Sequence, residues 1–543
     1  MRLSILVVAA LAMSSATAAN VQVTVRLAAP SALEVSYELP ALCSQIPFLK
    51  TGAGAGEIRS RWQAVDDCGQ AGGDMLTRGA KSCKTLAFRV PATTNKVTGY
   101  PGSFPTGEGI YAHMSNYAIG EACGAVSYRF AGPGSILTGR ARHENTAPTH
   151  ADAAAMLFPA RLPKTGASLD YYDPALPAAT IELLRDRAAR TTSWLQKRMP
   201  GAEVKRPIIA ATTAKAPGDP NVGGNAGELV LLSLFNWPAE PSPALYRKAT
   251  LLVAHEISHG FQMRDAVDDY ADARLIHEGG GEFLRWLVSL HRGWLTPQEA
   301  AAELDDALAE CMLVTDGRRW RDLSAADVGG SRLEYECGLP AYVYAMAVRQ
   351  GKADAVARIN DFYRQLRRGA KPDFAQAMEC GSEACKPTVL PAVLGGAKPM
   401  RDEWSAVLES SGLANPVAPT QRQTDAMMLR ALTKLMREDC QGKRSMTPTR
   451  GSVLMDGLPA CATLRQDVEV VQVEGLPVFG TMQALPAVVQ ACGARRQLTL
   501  GLKDGATLAV PCVTPYQPAT RMYAADIGKI MRALGVPGAP PSR

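Results

Sequence analysis

Beyond its N-terminus, this 543-residue chain has no run of about eighteen unbroken apolar residues, so no membrane-spanning helix is expected. It also lacks a basic run interleaved with aromatics. Lys and Arg number 58 against 52 Asp and Glu, a net charge of only +6, and they are spread along the chain. Nucleic acid is therefore not an expected partner. Histidine is scarce, at seven residues. Four of them, His255, His259, His277 and His291, share one short stretch, and that concentration supports a site there. The rest of the composition is ordinary for a globular protein, with 47% hydrophobic and 20% charged residues. The length suffices for three or four domains, each with its own core.

The N-terminus reads as an export signal. Met1-Arg2 is a short basic start, residues 5–13 are apolar, and Ala16-Thr17-Ala18 is a small-residue cleavage pattern. The mature chain is expected to begin near Ala19 or Asn20. The first cysteine, Cys43, lies well past that point, so a lipid-anchored N-terminal cysteine is not expected. Cysteine is plentiful, at twelve residues in three groups: Cys43, Cys68, Cys83 and Cys123; Cys311, Cys337, Cys380 and Cys385; Cys440, Cys461, Cys492 and Cys512. An even count after an export signal predicts up to six disulfides, each closing within its group, in a periplasmic or secreted protein. Cys380-x4-Cys385 has no accompanying Cys or His pair and reads as a local disulfide rather than half a metal site.

His255-Glu256-x-x-His259 carries the chemistry. Positions i and i+4 share one helix face, so both imidazoles can point at one metal ion. Glu256 stands beside them, where it can take a proton from an attacking water. The apolar flanks Leu251, Leu252, Val253, Ala254, Ile257 and Phe261 suit a buried helix. A zinc ion needs a third protein ligand and one open position. Eighteen residues after His259, the run His277-Glu278-Gly279-Gly280-Gly281-Glu282 supplies Glu278 as that ligand, on a second helix. Glu282 lies one turn further on. It can accept from the free ring nitrogen of a ligating histidine and so fix the ring.

The His-Glu-x-x-His, eighteen-residue gap, Glu arrangement resembles the gluzincin metallopeptidases, with the spacing of the aminopeptidase-N family. His277-Glu278-Gly279-Gly280 stands where that family carries an Asn-Glu-Gly-Phe type sequence. Tyr335-Glu336-Cys337-Gly338 resembles its Tyr-x-Lys-Gly segment. The resemblance implies Tyr335 as the residue that stabilises the oxyanion, with Cys337 in place of lysine. Tyr342 and Tyr344 are alternatives. Upstream, the Gly-rich run 221–229 precedes the apolar run 230–235. The resemblance implies an edge strand there that pairs with substrate backbone around Gly224, and Glu228 as the grip on a free amino group. That segment departs from the family's Gly-x-Met-Glu-Asn pattern, and a plain Gly-rich turn before a strand is the other reading.

The organisation expected is a multidomain α+β chain. Residues 1–19 are the signal. Residues 20–160 form a β-rich domain, with strands at 21–27, 33–39 and 85–90. The polar stretch 140–164 reads as a connection, with His143 and His150 as loop residues. Residues 165–415 form a mostly helical, thermolysin-like gluzincin domain. Its helices are expected at 177–198, 243–263, 278–291, 297–313 and 341–349, and a strand at 207–211. Residues 420–515 resemble a PDZ domain, with a strand and turn over 467–478, a helix over 482–491 and a hairpin around Lys503-Asp504-Gly505. Residues 516–543 read as a tail. Together these parts resemble the glycyl-aminopeptidase family of PDZ-containing metalloproteases. The resemblance implies one zinc ion per chain, a peptide or protein substrate, and a peptide ligand at the PDZ-like groove. The alternative from another class is a non-catalytic peptide-binding scaffold with a structural zinc. A metal-dependent hydrolase of non-peptide substrates is a third reading.

Overall fold

The computed structural model describes residues 21–538 except 30, 52, 82, 94–102, 140, 164–168, 203, 205–206, 216–218, 228, 316, 325–331, 350–353, 382, 444–445 and 450. The expected signal segment and Glu228 therefore lie outside the described residues. The chain divides into two compact units. One holds residues up to Ala189 with Lys205–Gly260, and the other holds Arg190–Val204 with Phe261–Arg543.

The first unit opens with alternating strands. In Val21–Ala29 the side chains of Val21, Val23, Val25 and Leu27 are buried, as a period of two requires. Val21–Ala29 pairs antiparallel with Ala32–Glu38 and parallel with Val126–Leu137. These belong to a nine-stranded sheet. Two more of its strands, Arg142–Thr149 and Ala154–Leu157, pair with Val126–Leu137 inside the stretch expected to be a connection. His143 therefore sits half-buried on a strand, while His150 follows it, exposed. Cys43–Cys123 and Cys68–Cys83 are disulfides of this unit. Arg59 is buried there. It donates to the Gly73 carbonyl at 2.9 Å and to the Lys50 carbonyl at 2.5 Å, and lies 3.8 Å from the centre of the Phe48 ring. The buried guanidinium is thus hydrogen-bonded rather than orphaned.

A second sheet of the same unit has the order Tyr171–Tyr172, Ile208–Ala214, Leu229–Phe235, Asn221–Ala226. Leu229–Phe235 is buried at every position, the mark of a central strand covered on both faces. Asn221–Ala226 pairs with it antiparallel and forms the edge. The helix Pro243–His259 follows. Ser242 caps its start by accepting from the Leu245 amide, and Pro243 occupies the first turn, where its missing N–H costs nothing.

The second unit is helical and then mixed. Gly280–His291, Pro297–Val314, Gly338–Ala347, Ala355–Arg367 and Met400–Ser411 are its main helices before residue 412. Thr296 and Glu299 form a reciprocal cap at the head of Pro297–Val314. The C-terminal part has the strand Val468–Val473, a turn at Glu474-Gly475, the short strand Leu476–Pro477, the helix Ala484–Ala494, and the hairpin Gln497–Leu502 with Thr507–Pro511. Both turn residues have positive φ, 50° and 76°, as a two-residue hairpin turn demands. The residues after 516, read from the sequence as a tail, include a strand, Met522–Ala525, paired with Ala414–Val417, and a helix, Ile527–Ala533. Cys311–Cys337, Cys380–Cys385, Cys440–Cys461 and Cys492–Cys512 close within their expected groups. No helix among the described residues is long and apolar enough to cross a membrane.

Candidate functional site

In the first unit the last turn of Pro243–His259 carries the motif. His255, Glu256 and His259 are 6%, 6% and 9% exposed. The Nε2 atoms of His255 and His259 lie 2.9 Å apart, with the two rings at 89°. The nitrogens thus converge on one point. A tetrahedral zinc with Zn–N bonds of about 2.0–2.1 Å would hold two such nitrogens roughly 3.3 Å apart, so a small outward rotation of the rings accommodates the ion. The donor pair fits a metal.

Glu256 faces the edge strand. A Cβ at Gly224 would lie 2.2 Å from its Oε1 and 2.6 Å from its Cδ. Gly224 has no positive φ, so the glycine serves close approach and not a turn. Only a residue without a side chain lets the carboxylate rest against that backbone. The neighbouring Asn225 donates through Nδ2 to the Tyr111 hydroxyl at 2.8 Å, which ties the edge strand to the strand Gly109–His113.

In the second unit Glu278 does not sit on a regular α-helix. Leu275–Gly279 is a π turn that runs into Gly280–His291. Such one-turn widenings recur at functional sites. Here buried side chains brace it. The Tyr342 hydroxyl donates to the Ile276 carbonyl at 2.8 Å, and Gln262 donates to the His277 carbonyl at 3.0 Å. A Cβ at Gly280 would lie 2.3 Å from the Gln262 amide nitrogen, and one at Gly279 would lie 2.6 Å from the Gly338 Cα. Gly279 and Gly280 are thus the sequence signal of this bracing, which helical periodicity alone does not reveal.

Glu282 is held by Arg285, whose Nε donates to Glu282 Oε2 at 2.9 Å. Arg285 also reaches Glu303 at 3.1 Å. The two carboxylates outweigh burial and keep the guanidinium charged. Tyr335 is half-buried on the one-turn helix Leu333–Glu336, with the Arg332 guanidinium 4.8 Å from its ring centre. Of the alternatives to Tyr335, Tyr342 is committed to the π turn. Tyr344 is fully buried against Trp404. Next to Tyr335, burial and the charges of Glu282 and Glu310 push the Glu336 carboxyl up to about 7, while Arg332 and Arg285 oppose them.

One further cluster of donor atoms is structural. Cys440 and Cys461 are joined to each other, and Asp439 accepts from the Thr463 and Leu464 amides.

No protein-family model matches the chain, and no curated protein sequence matches it. Among solved structures the chain is similar to an aminopeptidase N family protein from Idiomarina loihiensis. The TM-score is 0.57 at 11% identity, covering 95% of this chain and 99% of that one. At that identity the likeness shows a shared fold. An M1 zinc metallopeptidase from Deinococcus radiodurans matches with a TM-score of 0.37 at 14% identity, over 73% and 92% of the two chains. Leukotriene A4 hydrolase from Saccharomyces cerevisiae matches with 0.36 at 11% identity, over 80% of each. Both scores are too low to bear on the argument.

Proposed function

We propose that the chain is a zinc-dependent peptidase of aminopeptidase type, exported to an oxidising compartment. The observation that supports this most is the Glu256 carboxylate set against the Gly224 backbone, next to two imidazoles whose Nε2 atoms converge. In this reading His255, His259 and Glu278 hold one zinc ion. Three protein ligands leave a position open for water. When bound, zinc lowers the pKa of a water toward neutrality and polarises the scissile carbonyl.

The chain's own residues do the rest. Glu256 takes the proton of the attacking water and passes it to the leaving amine. Its carboxylate is held for both tasks by the backbone beside it. Tyr335 donates a hydrogen bond to the oxygen that gains charge in the transition state. The outer side of the edge strand Asn221–Ala226 pairs with the substrate backbone around Gly224, and Glu228 binds the free amino group. Glu282, pinned by Arg285, accepts from the ring N–H of a ligating histidine and fixes its orientation.

We also assign a PDZ-like role to the C-terminal sheet and the helix Ala484–Ala494. The order strand, two-residue turn, helix and hairpin supports it, and its ligand would be an extended peptide. Six disulfides support export, since such bonds persist outside the reducing cytosol.

The reading is tested by screening an aminoacyl-coumarin series with wild type and Glu256→Gln. Hydrolysis by the wild type alone, with equal zinc in both proteins, supports it. Equal hydrolysis by both proteins would remove Glu256 from the mechanism.

A further inference from the structure

Tyr335 sits on a single helical turn that passes through Cys337, itself in helical conformation, into the helix Gly338–Ala347. Leu333–Glu336 is one turn, and its backbone bonds run from the Tyr335 and Glu336 amides to the Arg332 carbonyl and from the Cys337 amide to that of Leu333. A first turn fixes many dihedrals for few hydrogen bonds, so its neighbours contribute to holding it. Its entry residue, Arg332, has φ of 56°, a left-handed conformation that a non-glycine residue keeps only when its surroundings impose it.

Three contacts fix the turn that follows it. Cys337, directly after the turn, is bonded to Cys311 of the helix Pro297–Val314, and both are fully buried. Gly338 packs on Gly279 of the π turn so closely that a Cβ on Gly338 would lie 2.3 Å from the Gly279 Cα. Glu334, buried, pairs with Arg274 just ahead of the π turn. The segment bearing Tyr335 is thereby fixed both to a long helix and to the turn that bears Glu278.

We propose that the Cys311–Cys337 disulfide, with the Gly279–Gly338 contact, is the device that positions Tyr335. The inference rests on the reading of Tyr335 as the oxyanion donor and goes beyond it. It makes turnover depend on a covalent bond that touches neither the metal ligands nor the substrate.

A double-mutant cycle tests this. Wild type, Tyr335→Phe, Cys311→Ala/Cys337→Ala and the triple variant are compared on the best-cleaved member of an aminoacyl-coumarin series. Zinc content and circular dichroism are read on each. Losing one oxyanion donor is expected to lower kcat about 100-fold in the disulfide-bonded protein. Without the disulfide the same change is expected to cost less than about 3-fold, because kcat has already fallen with zinc and KM kept. A merely structural bond would leave the full effect of Tyr335→Phe in both backgrounds, and that result overturns the proposal. No effect of Tyr335→Phe in the disulfide-bonded protein would overturn the tyrosine assignment and this inference together, while Glu256 and the metal ligands would stand on their own variants. If the protein lacking this one disulfide does not fold, Gly338→Ala, which forces the Gly279–Gly338 contact apart, takes its place in the cycle. Additivity in that cycle likewise overturns the proposal.

Discussion

Glu256 and Gly224 are read best as a pair, because the carboxylate occupies space that any larger residue at 224 would claim. Gly224→Ala must displace either the strand or the Glu256 carboxylate. A shift of about 1 Å costs roughly 100-fold in turnover when it moves a catalytic group. The account predicts that loss in kcat with zinc content unchanged, measured by steady-state kinetics beside elemental analysis. Glu336 gives a pH signature. Its pKa rises from 4.5 to about 7 on folding, so the folded state binds more protons than the unfolded one between those values. That contribution to stability is fully present below pH 4.5 and is lost as pH rises through about 7. Thermal unfolding of Glu336→Gln should show a smaller drop between pH 5 and pH 8 than the wild type does. Equal drops would mean that Glu336 is not the group responsible. His255, Glu256 and His259 were legible because a spacing of four on a helix fixes a shared face. The bracing of Glu278 was not, since five residues cannot distinguish an α from a π turn by hydrophobic pattern. The tyrosines were ambiguous for a similar reason. Nothing local marks the Tyr342 hydroxyl as the partner of the Ile276 carbonyl, 66 residues away.

Among the elements, strongly periodic helices were readable to within a few residues. The helix expected at 243–263 ends at His259, where Gly260 caps it. The helix expected at 297–313 is Pro297–Val314. The glycines of 221–229 left an edge strand and a plain turn both open, and the structure makes Asn221–Ala226 the edge of the four-stranded sheet. The stretch 140–164 was not legible. Arg142–Thr149 buries only Ala147, so its strand is made by pairing with Val126–Leu137 rather than by a hydrophobic alternation of its own. The π turn carries a prediction of its own. Tyr342→Phe removes one of the two donors to the buried Ile276 carbonyl, which keeps the Gly280 amide, and should destabilise the protein by about 0.5–1.5 kcal/mol, read as a lower denaturant midpoint. An unchanged midpoint would show that the turn does not need this brace.

At the scale of the whole chain the grouping of cysteines was legible and the pairing was not, because four cysteines allow three connectivities. Within the first unit the disulfides differ in the loops they close, 80 residues for Cys43–Cys123 and 15 for Cys68–Cys83. Chain entropy predicts that removing the longer costs about 4–5 kcal/mol and the shorter about 3 kcal/mol. Denaturant unfolding of the two paired Cys→Ala variants checks the order, and the reverse order would contradict it. The fold likeness covers nearly the whole chain at 11% identity. Activity therefore rests on the site and not on relatives.

The most direct test of the central claim is zinc content by elemental analysis on wild type, Glu256→Gln and His259→Ala purified from an oxidising compartment. The account predicts one equivalent in the first two and none in the third, with all three folded by circular dichroism. A folded wild type without zinc, or a His259→Ala variant that keeps it, would contradict the assignment of this site.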